Sequence, residues 1–68
     1  MRTFKIQTPA IAVNADDTAE QIVKMAISAL KSVDQYGDVE YLEARFSGSN
    51  LDLNEVKEVL NGRFVRFV

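Results

Sequence analysis

The sequence predicts an α+β fold, a two-layer α/β sandwich in which a sheet of three or four strands carries one long and one short helix on one face. Segments with a two-residue apolar period are followed by segments with helical period and capping signals. The predicted order is β(β)αβαβ, and helical crossovers between strands favour placing both helices on the same side. We expect all 68 residues to form one domain, since so short a chain buries only about 60% of its unfolded surface.

The first predicted strand runs from Arg2 to Gln7, where the letters RTFKIQ alternate apolar and polar side chains. Pro9 then interrupts the ladder, because proline has no backbone N–H to donate. Residues 10–13 resume the alternation. They form either a short second strand or an extension of the sheet edge, or they lie outside the sheet.

A long helix is predicted from Thr18 to Gln35. Asp17 and Glu20 have the spacing of a capping box, and Gly37 suits the left-handed residue that follows a helix. At about 100° per residue, the apolar side chains occupy an arc of roughly 200°, which is wider than one sheet contact requires. The residues of this arc are Ala19, Ile22, Val23, Met25, Ala26, Ile27, Ala29, Leu30 and Val33.

Residues 39–46, VEYLEARF, are predicted to form the next strand. Its inward face carries Leu42, Ala44 and Phe46, and its outward face includes Tyr41 and Arg45. The letters SGSN that follow are typical of a loop.

The second helix is predicted within residues 51–62, LDLNEVKEVLNG. Asp52 precedes Glu55 with capping-box spacing, and Leu51 is placed to pack on Val56 as a hydrophobic staple. The pair Asn61-Gly62 closes this helix. Residues 63–68, RFVRFV, follow as the last strand, with large apolar groups on both faces.

The composition argues against an enzyme. The chain has no histidine and no cysteine, which removes the commonest general base, metal ligand and thiol nucleophile. The acidic group Asp16, Asp17 and Glu20 lacks the pattern of a calcium loop and is better explained by helix capping. We therefore expect no catalytic residues, no cofactor, no metal and no small-molecule substrate.

Charge and hydropathy favour a cytoplasmic protein. The net charge of −2 generates no field that would recruit nucleic acid or an anionic membrane. No apolar run approaches the roughly 20 residues that span a bilayer, and the N-terminus lacks the pattern of a signal peptide. The absence of cysteine fits a reducing compartment, but many secreted proteins also lack cysteine, so it does not select one compartment.

The outward face of the predicted sheet is the candidate interaction surface. It combines aromatic, cationic and apolar side chains on a face that no helix covers. The residues are Lys5, Tyr41, Arg45, Phe64, Arg66 and Val68. The simpler alternative to nucleic-acid binding is a solvated face with cross-strand ion pairs. The alternative to a partner site is that the methylene stems of Lys5 and Arg45 cover the apolar groups of the last strand.

These observations predict a small non-enzymatic protein-protein interaction module that self-associates, with a homodimer as the simplest assembly. The chain has more apolar surface than one small core covers, because the helical arc is wide and the last strand carries apolar residues on both faces. It also has no disulfides to stabilise so small a core. The size also suits a phage or mobile-element product. A nucleic-acid-binding protein that uses the open sheet face is the alternative, and an enzyme using carboxylates or hydroxyls ranks last. The partner, the strand order and the oligomeric state stay open.

Overall fold

The computed structural model describes residues 8–48 and 50–68, and in these residues the chain forms three helices and a two-stranded parallel sheet. The elements in chain order are strand β1 (Ala10–Ile11), helix α1 (Ala19–Ser32), helix α2 (Tyr36–Arg45), helix α3 (Leu53–Leu60) and strand β2 (Arg66–Phe67). The order of elements in the described residues is therefore βαααβ, and more than half of these residues are helical.

The predicted sandwich with a three- or four-stranded sheet is wrong. Within the described residues the sheet consists of two strands of two residues each. Of the predicted last strand 63–68, only Arg66–Phe67 pairs as a strand, and of residues 10–13 only Ala10–Ile11 does so. The predicted first strand, Arg2 to Gln7, lies outside the described residues.

The two strands bring the beginning and the end of the described chain together. Ala10 lies opposite Arg66 and Ile11 opposite Phe67 in a parallel register. The backbone N–H of Val68 donates to the carbonyl oxygen of Ile11 at 2.9 Å. Because even an isolated two-stranded hairpin is marginal in water, so short a ladder must depend on the helices that connect its strands.

Residues 39–46, predicted as a strand, belong almost entirely to helix α2. Val39 and Leu42 are buried and Phe46 is half-buried, which is the spacing of one helical face. Ala44, predicted to face the core, is exposed. The two-residue period of a strand and the 3.6-residue period of a helix both fit a segment this short. The segment is also rich in strong helix formers. The helix forms because this face packs against α1.

Helix α1 begins one residue later than the capping pair Asp17 and Glu20 suggested. Its N-cap is Thr18, whose Oγ1 accepts the backbone N–H of Gln21 at 3.2 Å. The Gln21 side chain in return accepts the Thr18 N–H at 2.9 Å, which completes a capping box. Asp17 instead accepts the N–H of Asn14 at 2.8 Å in the preceding turn. The predicted motif is present, but with different residues.

The end of α1 also differs from the prediction. Asp34 adopts the left-handed conformation (φ 60°) that was predicted for Gly37, and the helix ends before Gln35. The N–H of Gln35 donates to the carbonyl of Leu30 at 3.0 Å, and the N–H of Asp34 donates to that of Lys31 at 3.1 Å. These two bonds are those of a Schellman motif. Gly37 lies in the first turn of α2.

Helix α1 contacts the most elements, since α2, α3 and β1 all pack against it. The core consists of Ile11, Ala19, Ile22, Val23, Ala26, Leu30, Val39, Leu42, Val56, Leu60 and Val65. Met25, Ile27 and Ala29 are half-buried and pack at the edge of this core. Other parts of the same chain therefore pack against the wide apolar arc of α1 from several sides.

Helix α3 begins after the predicted N-cap and ends at the predicted glycine, although Glu55, the second residue of the predicted capping box, forms an ion pair with another helix instead. Asp52 is its N-cap and accepts a first-turn backbone N–H at 3.3 Å, and Gly62 has positive φ (83°) directly after the C-cap Asn61. The chain then turns back sharply, because the Leu60 carbonyl accepts the N–H of Val65 at 3.1 Å. This turn inserts Val65 fully into the core before β2 begins.

Replacing Asp34 with glycine should raise the free energy of unfolding by about 1 kcal/mol. Glycine adopts the left-handed conformation without the Cβ clash of an L-residue, and the change removes a carboxylate from the negative end of α1. Urea unfolding followed by circular dichroism measures the effect. The control, Asp38→Gly, makes the same chemical change inside α2 and should instead destabilise the domain, since glycine weakens a helix. Equal effects of both variants would contradict the assignment of Asp34.

The helical assignment of residues 39–46 makes a second prediction. Ala44→Lys should change the free energy of unfolding by less than about 0.5 kcal/mol, because Ala44 is exposed on α2. Leu42→Ala should cost about 2–5 kcal/mol, because Leu42 is fully buried. Urea titration of both variants separates the two cases. Severe destabilisation by Ala44→Lys would mean that position 44 faces the core, as a strand would require.

Candidate interaction surface

Three of the six predicted surface residues come together where α2 lies beside the turn after α3. Tyr41 and Arg45 are one helical turn apart on α2 and therefore lie on the same side of it. The ring of Phe64 stacks on that of Tyr41, with centroids 5.6 Å apart and an interplanar angle of 18°. We call Tyr41, Arg45 and Phe64 the aromatic–arginine cluster.

The aromatic pair is ordered and yet partly open to solvent. Tyr41 retains 51% of its exposure, while Phe64 is half-buried and packs against the core with its other contacts. Such stacked pairs contribute about 0.5–1.5 kcal/mol beyond the area they bury. The stack therefore holds a large exposed aromatic ring in one place.

Arg45 is already engaged within the chain. Its guanidinium forms a hydrogen-bonded ion pair with the carboxylate of Glu55 on α3, and it lies 5.4 Å from the ring centroid of Phe46. Both partners of the ion pair are exposed, so solvent and salt weaken it. The ion pair nevertheless links two helices and leaves Arg45 with its charge balanced.

The hydrogen bond and the negative charge of Glu55 raise the pKa of Arg45 above its ordinary value, and Tyr41 adds a smaller contribution in the same direction. A raised pKa in the folded state favours folding at every pH below the ordinary value and is lost only as the pH rises through the folded value. Both values lie far above neutrality. Arg45 is therefore a permanent cation here and adds no pH dependence near physiological pH.

The other three predicted residues do not join this cluster. Arg66 lies in β2 and Val68 follows it, and both are exposed, Val68 to 71%. Among residues 8–48 and 50–68, no ion pair or ring contact connects Arg66 or Val68 to the cluster. Lys5 lies outside the described part of the chain. The predicted single sheet face is thus replaced by a helix-borne cluster and a separate exposed C-terminus.

Sequence reasoning missed Glu55 and Phe46 as partners of Arg45, and it did not select Tyr36, which is 55% exposed at the start of α2. A helical interpretation of residues 36–45 would have placed Tyr41 and Arg45 on one side, since they are four residues apart. The pairing of Arg45 with Glu55 spans the loop between two helices. No local pattern indicates that contact.

An open hollow of about 370 Å³ lies between the N-termini of α1 and α3. It is lined by Thr18, Ala19, Glu20, Asn50, Leu51 and Asp52. Thr18 and Asp52 already cap the two helices, and the carboxylates of Glu20 and Asp52 oppose an anionic ligand. In the residues that the structure describes, no group of three or more acidic side chains is arranged to hold a metal ion.

No protein-family model, no curated protein and no solved structure matches this chain. In the described ranges, none of the helices has the length and apolar character needed to cross a membrane. The aromatic–arginine cluster and the exposed residues around it are therefore the main candidate functional site.

The stack should be measurable as a pairwise coupling. In a double-mutant cycle of Tyr41→Ala and Phe64→Ala, we expect a coupling free energy of about 0.5–1.5 kcal/mol, because the two rings contact each other directly. Urea unfolding of the four proteins measures it. Tyr41→Phe should retain the coupling, and the equally exposed Tyr36 combined with Phe64 should show none. Additive effects of Tyr41→Ala and Phe64→Ala would exclude an energetically significant stack.

Proposed function

We propose that this chain is a small, non-enzymatic protein-interaction module that self-associates as a homodimer through Tyr41, Phe64 and the exposed C-terminal residues Arg66 and Val68. The observation that carries the proposal is the Tyr41–Phe64 stack. A half-exposed aromatic ring that is already immobilised loses little entropy when a partner covers it. Tyrosine is also among the residues that dominate the energetics of protein interfaces.

A second copy is the partner that the chemistry favours. The net charge of −2 is small, so two copies repel each other only weakly. A twofold axis near α2 would let Tyr41 and the Phe64 ring stacked on it cover their counterparts, and twofold dimers are the commonest closed assembly. The wide arc of α1 no longer supports dimerisation, because α2, α3 and β1 already contact that helix. The proposal therefore depends on Tyr41 and Val68 as exposed apolar groups.

The non-enzymatic part of the proposal is supported by the roles of the carboxylates. Asp17 and Asp52 accept backbone N–H groups, and Glu55 pairs with Arg45. Each of these side chains has a structural partner, and the chain has no histidine or cysteine to serve as base or nucleophile. A cytoplasmic location stays a prediction from the sequence. A phage or mobile-element origin stays an expectation from chain length.

Nucleic-acid binding stays a prediction with less support than dimerisation. The open sheet face that motivated it is not present in residues 8–48 and 50–68, where the sheet has two short strands. Arg45 is balanced by Glu55, which lowers its value as a phosphate contact. Arg63 and Arg66 are exposed and lie close to Phe64 in the sequence. Because such cations could contact phosphates, we also test the protein with oligonucleotides.

Sedimentation equilibrium over a wide concentration range tests the dimer. The wild-type protein should approach twice its monomer mass, and Tyr41→Ala should raise the dissociation constant at least about tenfold, as expected when a hot-spot aromatic is removed. Tyr36→Ala is the matched control on the same helix and should leave the dissociation constant unchanged. A folded wild-type monomer at high micromolar concentration would refute self-association.

A parallel titration separates the nucleic-acid alternative. Labelled single-stranded and duplex oligonucleotides are added to the wild-type protein at low salt, and anisotropy is followed. We expect no binding. A signal that weakens steeply with added salt, together with a monomeric protein, would instead favour phosphate contacts.

A further inference from the structure

The C-terminal turn, which we define as residues 61–68, begins with the dipeptide Asn61-Gly62 at the end of α3. We propose that Asn61 is a site of spontaneous deamidation and that opening of the C-terminal turn controls its rate. The inference does not depend on the proposed dimer. It rests on the chemistry of this dipeptide and on the contacts that restrain it.

The reaction needs only water and hydroxide. The backbone nitrogen of Gly62 loses its proton to hydroxide and attacks the side-chain carbonyl carbon of Asn61. A new C–N bond closes a succinimide ring, the carboxamide C–N bond breaks, and ammonia leaves after taking a proton from water. Water then opens the ring at either carbonyl and leaves aspartate or isoaspartate. Glycine permits the attack because it has no Cβ to hinder its nitrogen.

The surroundings of Asn61 leave its side chain accessible. Asn61 is exposed, and a Cβ built on Gly62 would meet no atom within 4 Å. Water can therefore reach the carboxamide of Asn61, and no side chain crowds Gly62. Three other asparagines, Asn14, Asn50 and Asn54, are also exposed, but alanine, leucine and glutamate follow them in the sequence. They are internal controls with comparable access to solvent and greater steric hindrance.

The folded turn restrains both reacting groups. The N–H of Gly62 donates to the Val65 carbonyl at 2.8 Å, so its nitrogen is engaged. The Oδ1 atom of Asn61 accepts the N–H of Phe67 at 3.4 Å, which directs the amide toward β2. Ring closure requires both contacts to break. Local segments open at lower free energy than the whole domain, so opening of this turn precedes the reaction.

Either product should weaken the turn. An aspartate at position 61 places a negative charge at the negative end of α3. Isoaspartate inserts an extra methylene into the main chain before Gly62, which displaces the N–H that bonds to Val65. Val65 is fully buried, and the adjacent Phe64 stacks on Tyr41. Deamidation is therefore expected to alter the anchoring of β2 and of the aromatic stack.

The test is ageing of the full chain at mildly alkaline pH, with and without denaturing urea, followed by peptide mapping and isoaspartate detection. In urea, Asn61 should deamidate at least about tenfold faster than Asn14, Asn50 and Asn54, because only Asn61 precedes glycine. Without urea, the Asn61 rate should fall at least about tenfold, because the turn must open first. Equal rates for all four asparagines in urea would overturn the site.

A variant tests the control by the turn. Val65→Ala removes buried contacts that hold the turn, so the native-state rate at Asn61 should rise toward the rate in urea, while the rate in urea itself stays unchanged. A Val65→Ala protein that is completely unfolded would also deamidate at the rate seen in urea, so this variant alone does not separate opening of the turn from loss of the fold. Amide hydrogen exchange of Gly62 in the wild-type protein measures opening independently. Deamidation of wild-type Asn61 at the same rate with and without urea would show that opening of the C-terminal turn does not control the rate.

Discussion

Burial of the broad apolar arc of α1 is the constraint on which the domain depends. The arc is wide enough to contact α2, α3 and β1, and its residues Ile22 and Leu30 are completely buried. Full burial of such a side chain contributes about 1.5–3 kcal/mol. The sheet in the described residues cannot organise the fold in the same way, because two residues per strand bury little surface. The helices therefore position the strands, rather than the strands positioning the helices.

The position of α2 on α1 creates the candidate interaction surface. Val39 and Leu42 face the core, so Tyr41 is directed to the flank that meets the turn after α3. There it stacks on Phe64, and one turn later Arg45 pairs across to α3. A surface aromatic that two parts of the chain hold in place is a suitable contact for a partner. The same contacts leave Arg45 less available to bind anions.

The C-terminal turn couples several of these features. Gly62 ends α3, Val65 completes the core, and the following strand pairs with β1 near the start of the described chain. Phe64 lies between them, so the aromatic stack depends on the same turn. A chemical change at Asn61 would act on this whole region. The turn thus combines a structural role with the most reactive asparagine dipeptide in the chain.

Sequence reasoning was most successful where the signal is local. The existence of α1 and α3 and the glycine closure at Gly62 follow from periodicity and capping chemistry, which involve neighbouring residues. Residues 39–46 fit both a strand and a helix, and packing on α1 selects the helix. The contacts of Tyr41 with Phe64 and of Arg45 with the next helix were likewise invisible, because they join residues that are distant in sequence. Local patterns record how a segment behaves beside its neighbours, whereas burial depends on which segments meet in space.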